Sequence, residues 1–201
     1  KKLPITDLTI FPDDPAIYVS RYYAGSINNG KYNVYKIHDP IGVKTEYFRK
    51  ENGDIYAAGS SFILFVKSDS IYISDLLSQR INTIIETTEG RLLIGCNRGV
   101  FYYDEIKKKE SPYKKEFDEV RVDDIKQIGN KLLFATKGKG IMLVVNDSVF
   151  IIDETKGLAS NLVGRMTVSG KEVWVATNKG VSHLEFDDLN SLSYKITNIH
   201  H

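Results

Sequence analysis

The 201 residues contain a single cysteine, Cys96. One thiol can form neither an intrachain disulfide nor a thiolate metal cluster, which argues against a small disulfide-stapled module and fits cytosol or periplasm. No apolar run approaches the roughly 18 residues needed to cross a bilayer as a helix, so membrane insertion of this stretch is not expected. Excess charge is missing too. The 27 basic residues stand against 26 acidic ones, which leaves no global field to attract nucleic acid or an anionic membrane. The chain opens at Lys1-Lys2-Leu3-Pro4, with neither Met nor a signal-like apolar stretch. Helical periodicity is lacking as well, because apolar runs are short and Gly recurs about every ten residues. Only Asp75 to Arg80 has the composition for one helical turn, in a connection between units.

What is present favours strands. Hydrophobic residues make up 42% and aromatics 11%, with 12 Tyr and 9 Phe beside many Ile and Val. The length suits one all-β domain with a core of its own. A strand-turn-strand unit, INTIIETTEGRLLIGCNRGVFYYD from Ile81 to Asp104, returns as VDDIKQIGNKLLFATKGKGIMLVVND and as LVGRMTVSGKEVWVATNKGVSHLEFDD. Second-strand triplets centre on Tyr18, Tyr56, Leu93, Leu133 and Trp174, separated by 38, 37, 40 and 41 residues. That interval belongs to a four-stranded blade. The expectation is an all-β β-propeller or partial propeller of about five four-stranded antiparallel blades. The repeats fall near residues 5–38, 41–78, 79–117, 118–157 and 158–201 of a single domain.

The fourth unit is the most legible. Arg121–Ile128, Lys131–Thr136, Gly140–Val145 and Ser148–Ile152 read as its strands, with Asn146-Asp147 as a hairpin turn. In the fifth, the strands are Leu162–Val168, Glu172–Thr177, Gly180–Phe186 and Tyr194–Asn198. In the second, Ser68-Asp69 separates Phe62–Lys67 from Ser70–Ser74. The third has a charged excursion, Lys107 to Lys115, between its third and fourth strands. The first is least regular: its second and third strands run together through Arg21-Tyr22-Tyr23, and Asn28-Asn29-Gly30 turns into Lys31–Ile37. Trp174, at the centre of a second strand, is expected to pack against a neighbouring blade, at about 3–5 kcal/mol for Trp174→Ala.

Gly157, Leu158, Asn161, Val163, Trp174, Ala176, Thr177 and Gly180 resemble the two-component regulator propeller repeat. The third repeat matches that pattern through Ile81, Gly90, Leu92, Ile94, Gly95, Gly99 and Tyr102, with Cys96 where Thr is usual. The fourth keeps Ala135-Thr136 and Gly140 but lacks the Trp and the leading Gly-Leu. The resemblance implies a periplasmic sensor region of a bacterial hybrid two-component system, of the kind that detects glycans; related propellers occur in cell-surface secretion machinery. The resemblance implies rings of about seven blades, so five repeats either close as a small ring or form a piece of a longer chain. Ser193–His201 aligns with Ser148–Lys156, which puts the last residues where another repeat would begin. His200-His201 reads equally as native sequence or as the start of an affinity tag.

In a four-stranded meander, turns between second and third strands share one end of the sheet with the connections between blades. That rim collects Asn97 and Arg98, Lys137 and Lys139, Asn178 and Lys179, joined by Lys156, Ser160 and Asn161. Its cationic and amide groups suit an oligosaccharide or another small anionic or polyhydroxyl ligand. The mixed charges of the opposite rim, around Lys107-Lys108-Lys109 and Lys114-Lys115, read as a solvated loop.

Catalytic signatures are missing. Lys137-Gly138-Lys139-Gly140 leads into a strand and lacks the Lys-Ser/Thr and helix of a phosphate loop. His38 and His183 have no partner at metal-ligand spacing, so neither metal nor cofactor is expected. The paired acids Asp13-Asp14, Asp123-Asp124 and Asp187-Asp188 read as turns or strand edges. First strands offer Asn82, Thr83, Glu86, Asp123, Asp124 and Arg165 but no histidine. The leading expectation is a non-enzymatic ligand-sensing segment, with neighbouring propeller repeats or a second copy of the chain as partners. A structural or protein-docking propeller of the cell envelope is the alternative, and a propeller lyase or lactonase comes after it.

Overall fold

The structure, a computed structural model, describes residues 7–9, 16–19, 23–28, 31–36, 46–49, 54–59, 61–67, 70–74 and 77–199. Their strands form five four-stranded antiparallel sheets, each in chain order. The first holds β1 (Asp7–Thr9), β2 (Ala16–Val19), β3 (Tyr23–Asn28) and β4 (Lys31–Lys36). The second holds β5 (Glu46–Arg49), β6 (Ile55–Ala58), β7 (Ile63–Lys67) and β8 (Ser70–Ile73). Next come β9 (Ile81–Glu86), β10 (Leu92–Cys96), β11 (Gly99–Asp104) and β12 (Lys109–Pro112) in the third. The fourth is β13 (Val122–Ile128), β14 (Lys131–Thr136), β15 (Ile141–Val145) and β16 (Ser148–Ile152). The fifth is β17 (Val163–Ser169), β18 (Glu172–Thr177), β19 (Gly180–Phe186) and β20 (Tyr194–Ile199). This is the all-β, bladed architecture expected of the repeats.

Local chemistry explains the hairpins. Asn146 and Asp147 both take positive φ, 47° and 67°, the backbone that a two-residue turn with right-handed strand twist demands. The turn sets the register Val145↔Ser148 and leaves Leu143 opposite Phe150. Sheets two to five pack face to face, with first strands innermost: β5 lies against β9, β9 against β13, and β13 against β17. Three apolar clusters fill the spaces between them. Tyr56, Ala58, Ile81, Ile84 and Ile94 join sheets two and three. Leu93, Val122, Ile125, Phe134 and Met142 join three and four. Leu133, Ala135, Val163, Met166, Val173 and Val175 join four and five.

The alternation is directional. Leu93 turns toward the sheet after its own, whereas its neighbours Leu92 and Ile94 turn back toward the one before. Tyr56, Leu93 and Leu133 are each fully covered, at 0% exposure. Two residues further on, the chain places Ala58, Gly95 and Ala135, against which the next inner strand lies. A methyl at Gly95 would stand 2.9 Å from Val122 Cγ1 and 2.6 Å from Thr83 Cγ2, so the position has room only for hydrogen. Each of these inner strands also carries a β-bulge against its neighbour, at Asn82, Asp123 and Gly164.

Several expectations are corrected. Trp174 occupies the position of Leu133 but is 38% exposed, its ring stacked on His183 at 4.2 Å. No described sheet covers it, so deep burial was the wrong environment for this residue. In the third sheet, Lys107 to Lys115 is not an excursion preceding the fourth strand: β12 lies inside it, pairing Tyr102 with Ser111 and Tyr103 with Glu110. An outer edge strand faces water and tolerates Lys109 and Glu110, so its charge hid it. The tail register also differs by two residues, since Ile199 opposes Val181 as Ile152 opposes Ile141. Leu77 to Arg80 bends without forming a helical turn, and Asp75 and Leu76 lie outside the described residues, as do Arg21-Tyr22, Asn29-Gly30, Ser68-Asp69, Asp13-Asp14 and His38.

Two measurements follow. Leu133→Ala should cost about 3–4 kcal/mol in urea unfolding, a cavity between two covered faces, while Trp174→Ala should cost about 1 kcal/mol. Burial pushes the Cys96 thiol up to about 12, so it should stay unreactive to a thiol reagent at pH 8 until the chain is unfolded.

Candidate functional site

All eight rim residues singled out from the sequence do sit on one end of the sheets, and the structure shows what each is doing there. Asp153 caps a 3-10 turn, Glu154–Lys156, by accepting from Thr155 N, and Gly157 ends it at φ 98°. The turn presents Glu154 to Lys179 Nζ at 3.0 Å. Asn161 is locked on three sides: its Oδ1 accepts from Glu154 N at 2.8 Å, its N–H donates to Glu154 Oε1, and its carbonyl accepts from Gly138 N and Gly140 N. Lys156 Nζ donates to the Ile151 carbonyl. Arg98 forms a two-pronged pair with Glu119, at 2.7 and 2.5 Å. Asn97 Oδ1 accepts from Asn82 Nδ2 at 3.0 Å, and Lys137 Nζ stands 3.4 Å from Asp123 Oδ2. Lys139 and Asn178 are exposed, with their backbone N–H groups bonded to Thr136 Oγ1 and the Leu162 carbonyl.

Two carboxylates organise these clasps. The Arg98 guanidinium holds Glu119 below the usual carboxylate range, and Lys179 with the Asn161 N–H does the same to Glu154. A depressed carboxyl contributes above its ordinary pKa and loses the contribution as pH falls through the lowered value, so both clasps are closed at neutral pH.

Deeper in, the acids of β13 tie neighbouring inner strands together. The bulge aims Asp123 and Asp124 at different partners. Asp123 accepts from Arg121 Nε at 2.8 Å. Asp124 is fully buried; its Oδ2 accepts from Met166 N of β17 at 2.7 Å, and its Oδ1 lies 3.0 Å from Lys126 Nζ and 3.9 Å from Arg165 Nη1. Asn82 Nδ2 makes the matching link from β9 to the Val122 carbonyl at 3.0 Å. Among the described residues, no three His, Cys, Asp or Glu side chains converge as metal ligands do.

The opposite end holds the hollow that sequence reading missed. A cleft of about 400 Å³ opens between sheets three and four, walled by Arg91, Tyr102, Tyr113, Gln127, Asn130 and Asp147. Tyr102 and Tyr113 meet edge to face at 5.1 Å. Arg91 lies 5.3 Å over the Tyr102 ring and donates to its hydroxyl at 3.4 Å, and that hydrogen bond raises the guanidinium further above its ordinary value. Burial raises the Tyr113 phenol. Asp147 of this wall is paired with Lys114, whose Nζ lies 2.9 Å from its Oδ1, and Gln127 Nε2 donates to Thr88 Oγ1 at 2.9 Å across the sheets. A second hollow of about 550 Å³ shares Arg91 and Tyr102 and is edged by Tyr103, Asp104 and Ile106. The rim read as solvated loop thus carries the aromatic wall. Tyr102 and Tyr113 meet only through the hairpin of β11 and β12, the strand hidden by its charge.

No protein-family model matches the chain, and no curated protein matches it. Solved structures do. The chain superposes with TM-score 0.70 at 17% identity on the extracellular domain of the hybrid two-component system BT3049 from B. thetaiotaomicron, covering 96% of this chain and 28% of that one. Virginiamycin B lyase from Staphylococcus aureus gives TM-score 0.70 and 17% identity over 96% of this chain and 69% of the lyase. PorZ, a surface component of the type-IX secretion system of Porphyromonas gingivalis, gives 0.64 and 13% over 87% of this chain and 31% of PorZ. The chain therefore has the β-propeller fold, and it spans little more than a quarter of the length of the first of these proteins.

Removing the inner clasp tests its weight. Asp124→Ala should cost about 3–5 kcal/mol, since it strands Met166 N and two cations, whereas Asp124→Asn should recover much of that through the retained hydrogen bond; thermal and urea unfolding measure both.

Proposed function

We propose that this chain is a ligand-sensing propeller segment of a bacterial two-component sensor, working on the periplasmic side and without catalysis of its own. The observation that carries the reading is the cleft between sheets three and four. It pairs two tyrosine rings with a guanidinium, three amides (Gln127, Asn130 and Asn146) and two carboxylates (Glu89 and Asp147), at about 400 Å³. Aromatic rings offer a face to the C–H side of a sugar, and amide and charged groups pair with its hydroxyls. An oligosaccharide is the ligand class such a wall suits. The likeness to two-component extracellular domains supports the sensor role. The acids Asp123 and Asp124 are tied to cations and to a neighbouring strand, which supports binding over a lyase reaction on the inner strands.

The rim of Asn97, Arg98, Lys137, Lys139, Lys156, Asn161, Asn178 and Lys179 is the second candidate surface. Exposed Lys139 and Asn178 favour it, while the clasps on Glu119 and Glu154 weigh against the rest. A protein-docking role in the envelope is the alternative use of either end, supported by the likeness to PorZ and by Ile106, 95% exposed beside the second hollow.

Calorimetric titration with a panel of neutral and acidic oligosaccharides tests the reading. Arg91→Ala and Tyr102→Ala should each weaken binding by about tenfold or more, the loss of one stacking or charge-assisted contact. Tm should change little for the exposed Arg91 and fall modestly for Tyr102, which packs against the core cluster. Lys139→Ala with Asn178→Ala should leave it unchanged. Loss confined to the second pair would move the site to the other rim, and absence of any binding would favour protein docking.

A further inference from the structure

The cleft between sheets three and four and the second hollow adjoin at Arg91 and Tyr102, which wall both. Alternation along β11 explains the junction. Tyr102 turns toward sheet four, where it meets Tyr113, while Tyr103 and its cross-strand partner Leu92 turn toward sheet two. Leu92 and Tyr103 wall the second hollow together with Gly90 and Ile106. The two spaces, about 400 and 550 Å³, thus make one groove that passes round the end of sheet three.

The charge of this groove is one-sided. Glu89 and Asp147 line the first space and Asp104 and Glu105 the second, against the single guanidinium of Arg91. Each of these groups is already engaged. Arg91 Nε lies 3.7 Å from Glu89 Oε2, and its Nη1 donates to the Tyr102 hydroxyl. Asp147 pairs with Lys114, Asp104 with Lys107 at 3.5 Å, and Glu105 accepts from the Tyr56 hydroxyl at 2.8 Å. Backbone N–H groups of Lys107 and Ile106 hold the Asp104 carboxyl below its ordinary value. One face of each ring is also covered by a cation of the chain, Arg91 at 5.3 Å over Tyr102 and Lys114 Nζ at 5.5 Å over Tyr113. Lys108 and Lys109 belong to the adjoining hairpin and line neither space. A cationic ligand therefore finds the carboxylates and those ring faces partnered. An anionic one meets four carboxylates and no uncommitted cation in the wall.

We propose that the groove takes an uncharged, extended polyhydroxyl chain, a neutral oligosaccharide that crosses Arg91 and Tyr102 from one hollow to the other. The proposal rests on the reading of the cleft as an oligosaccharide site and adds the charge and length of the ligand. Carboxylates accept from sugar hydroxyls, and the amides of Gln127, Asn130 and Asn146 both donate and accept. Leu92, Tyr103 and Ile106 offer apolar surface to C–H faces in the second hollow. Discrimination comes from the acids, which serve a hydroxyl and repel a uronate or a sulfate.

An array of linear oligosaccharides of two to eight units, in neutral, uronate, sulfated and amino forms, tests the proposal on the whole 201-residue chain. Neutral chains should bind. Calorimetry with the tightest of them should give an affinity unmoved between about 50 and about 500 mM salt, and roughly tenfold tighter for six units than for two. Glu89→Gln with Asp147→Asn, which releases Arg91 and Lys114, should admit uronate chains that the unaltered protein refuses. Preference of the unaltered protein for uronate, sulfated or amino chains overturns the proposal and leaves the oligosaccharide reading standing. Equal affinity for two units and six does the same, as does a folded double variant that still refuses uronates. Failure of every chain to bind overturns both.

Discussion

The fold depends on one requirement: the central residue of each second strand has to be covered by the sheet that follows. Leu93 and Leu133 project to the face opposite their strand neighbours Ile94 and Phe134 and would meet water without that cover. The requirement selects a small residue beside them, Gly95 or Ala135, because the incoming inner strand passes there. It also explains why polar links concentrate on inner strands. Asn82 and Asp124 each bond the backbone of the next first strand, fixing its height on the seat while apolar contact supplies most of the free energy.

Function inherits the same geometry. Sheets that pack tightly at their inner strands spread apart toward the outer ones, so hollows form between them near the turns. On one end, Glu119 and Glu154 draw the turn residues into ion pairs. On the other, the short β12 leaves Tyr113 and Lys114 to fold back over β14 and the Asn146-Asp147 turn, and the cleft remains open. Lys131 strengthens that end by donating to the Leu189 carbonyl over the Phe186 ring. A rigid pair of sheets with an aromatic, polar cleft at its margin would present that wall to the proposed ligand at little reorganisation cost.

Much of the fold was legible because its punctuation is chemical. Asn146-Asp147 and the regular interval between Tyr56, Leu93, Leu133 and Trp174 place hairpins and repeats before any tertiary contact is known. The strand Lys109–Pro112 escaped because charge on an outer edge breaks the alternation that identifies a strand. Trp174 was misjudged because its type speaks of burial while its cover belongs to another sheet. The candidate rim was legible as a place, since strand direction alone puts Asn97, Lys137 and Asn178 together. Its chemistry was not, because Glu119 and Glu154 are distant in sequence from Arg98 and Lys179. The cleft was invisible for a similar reason: Arg91, Tyr102, Tyr113 and Gln127 look like strand and turn residues until two sheets bring them within reach.

Hydrogen exchange followed by mass spectrometry tests the central claim most directly, since it reads local stability sheet by sheet. If each sheet is secured by the one that follows, amides of β13 and β14, between two covered faces, should exchange only with global unfolding. Those of β18 and β19, with one face open, should exchange through a smaller opening and measurably sooner. Protection of β18 and β19 equal to that of β13 and β14 would contradict the account.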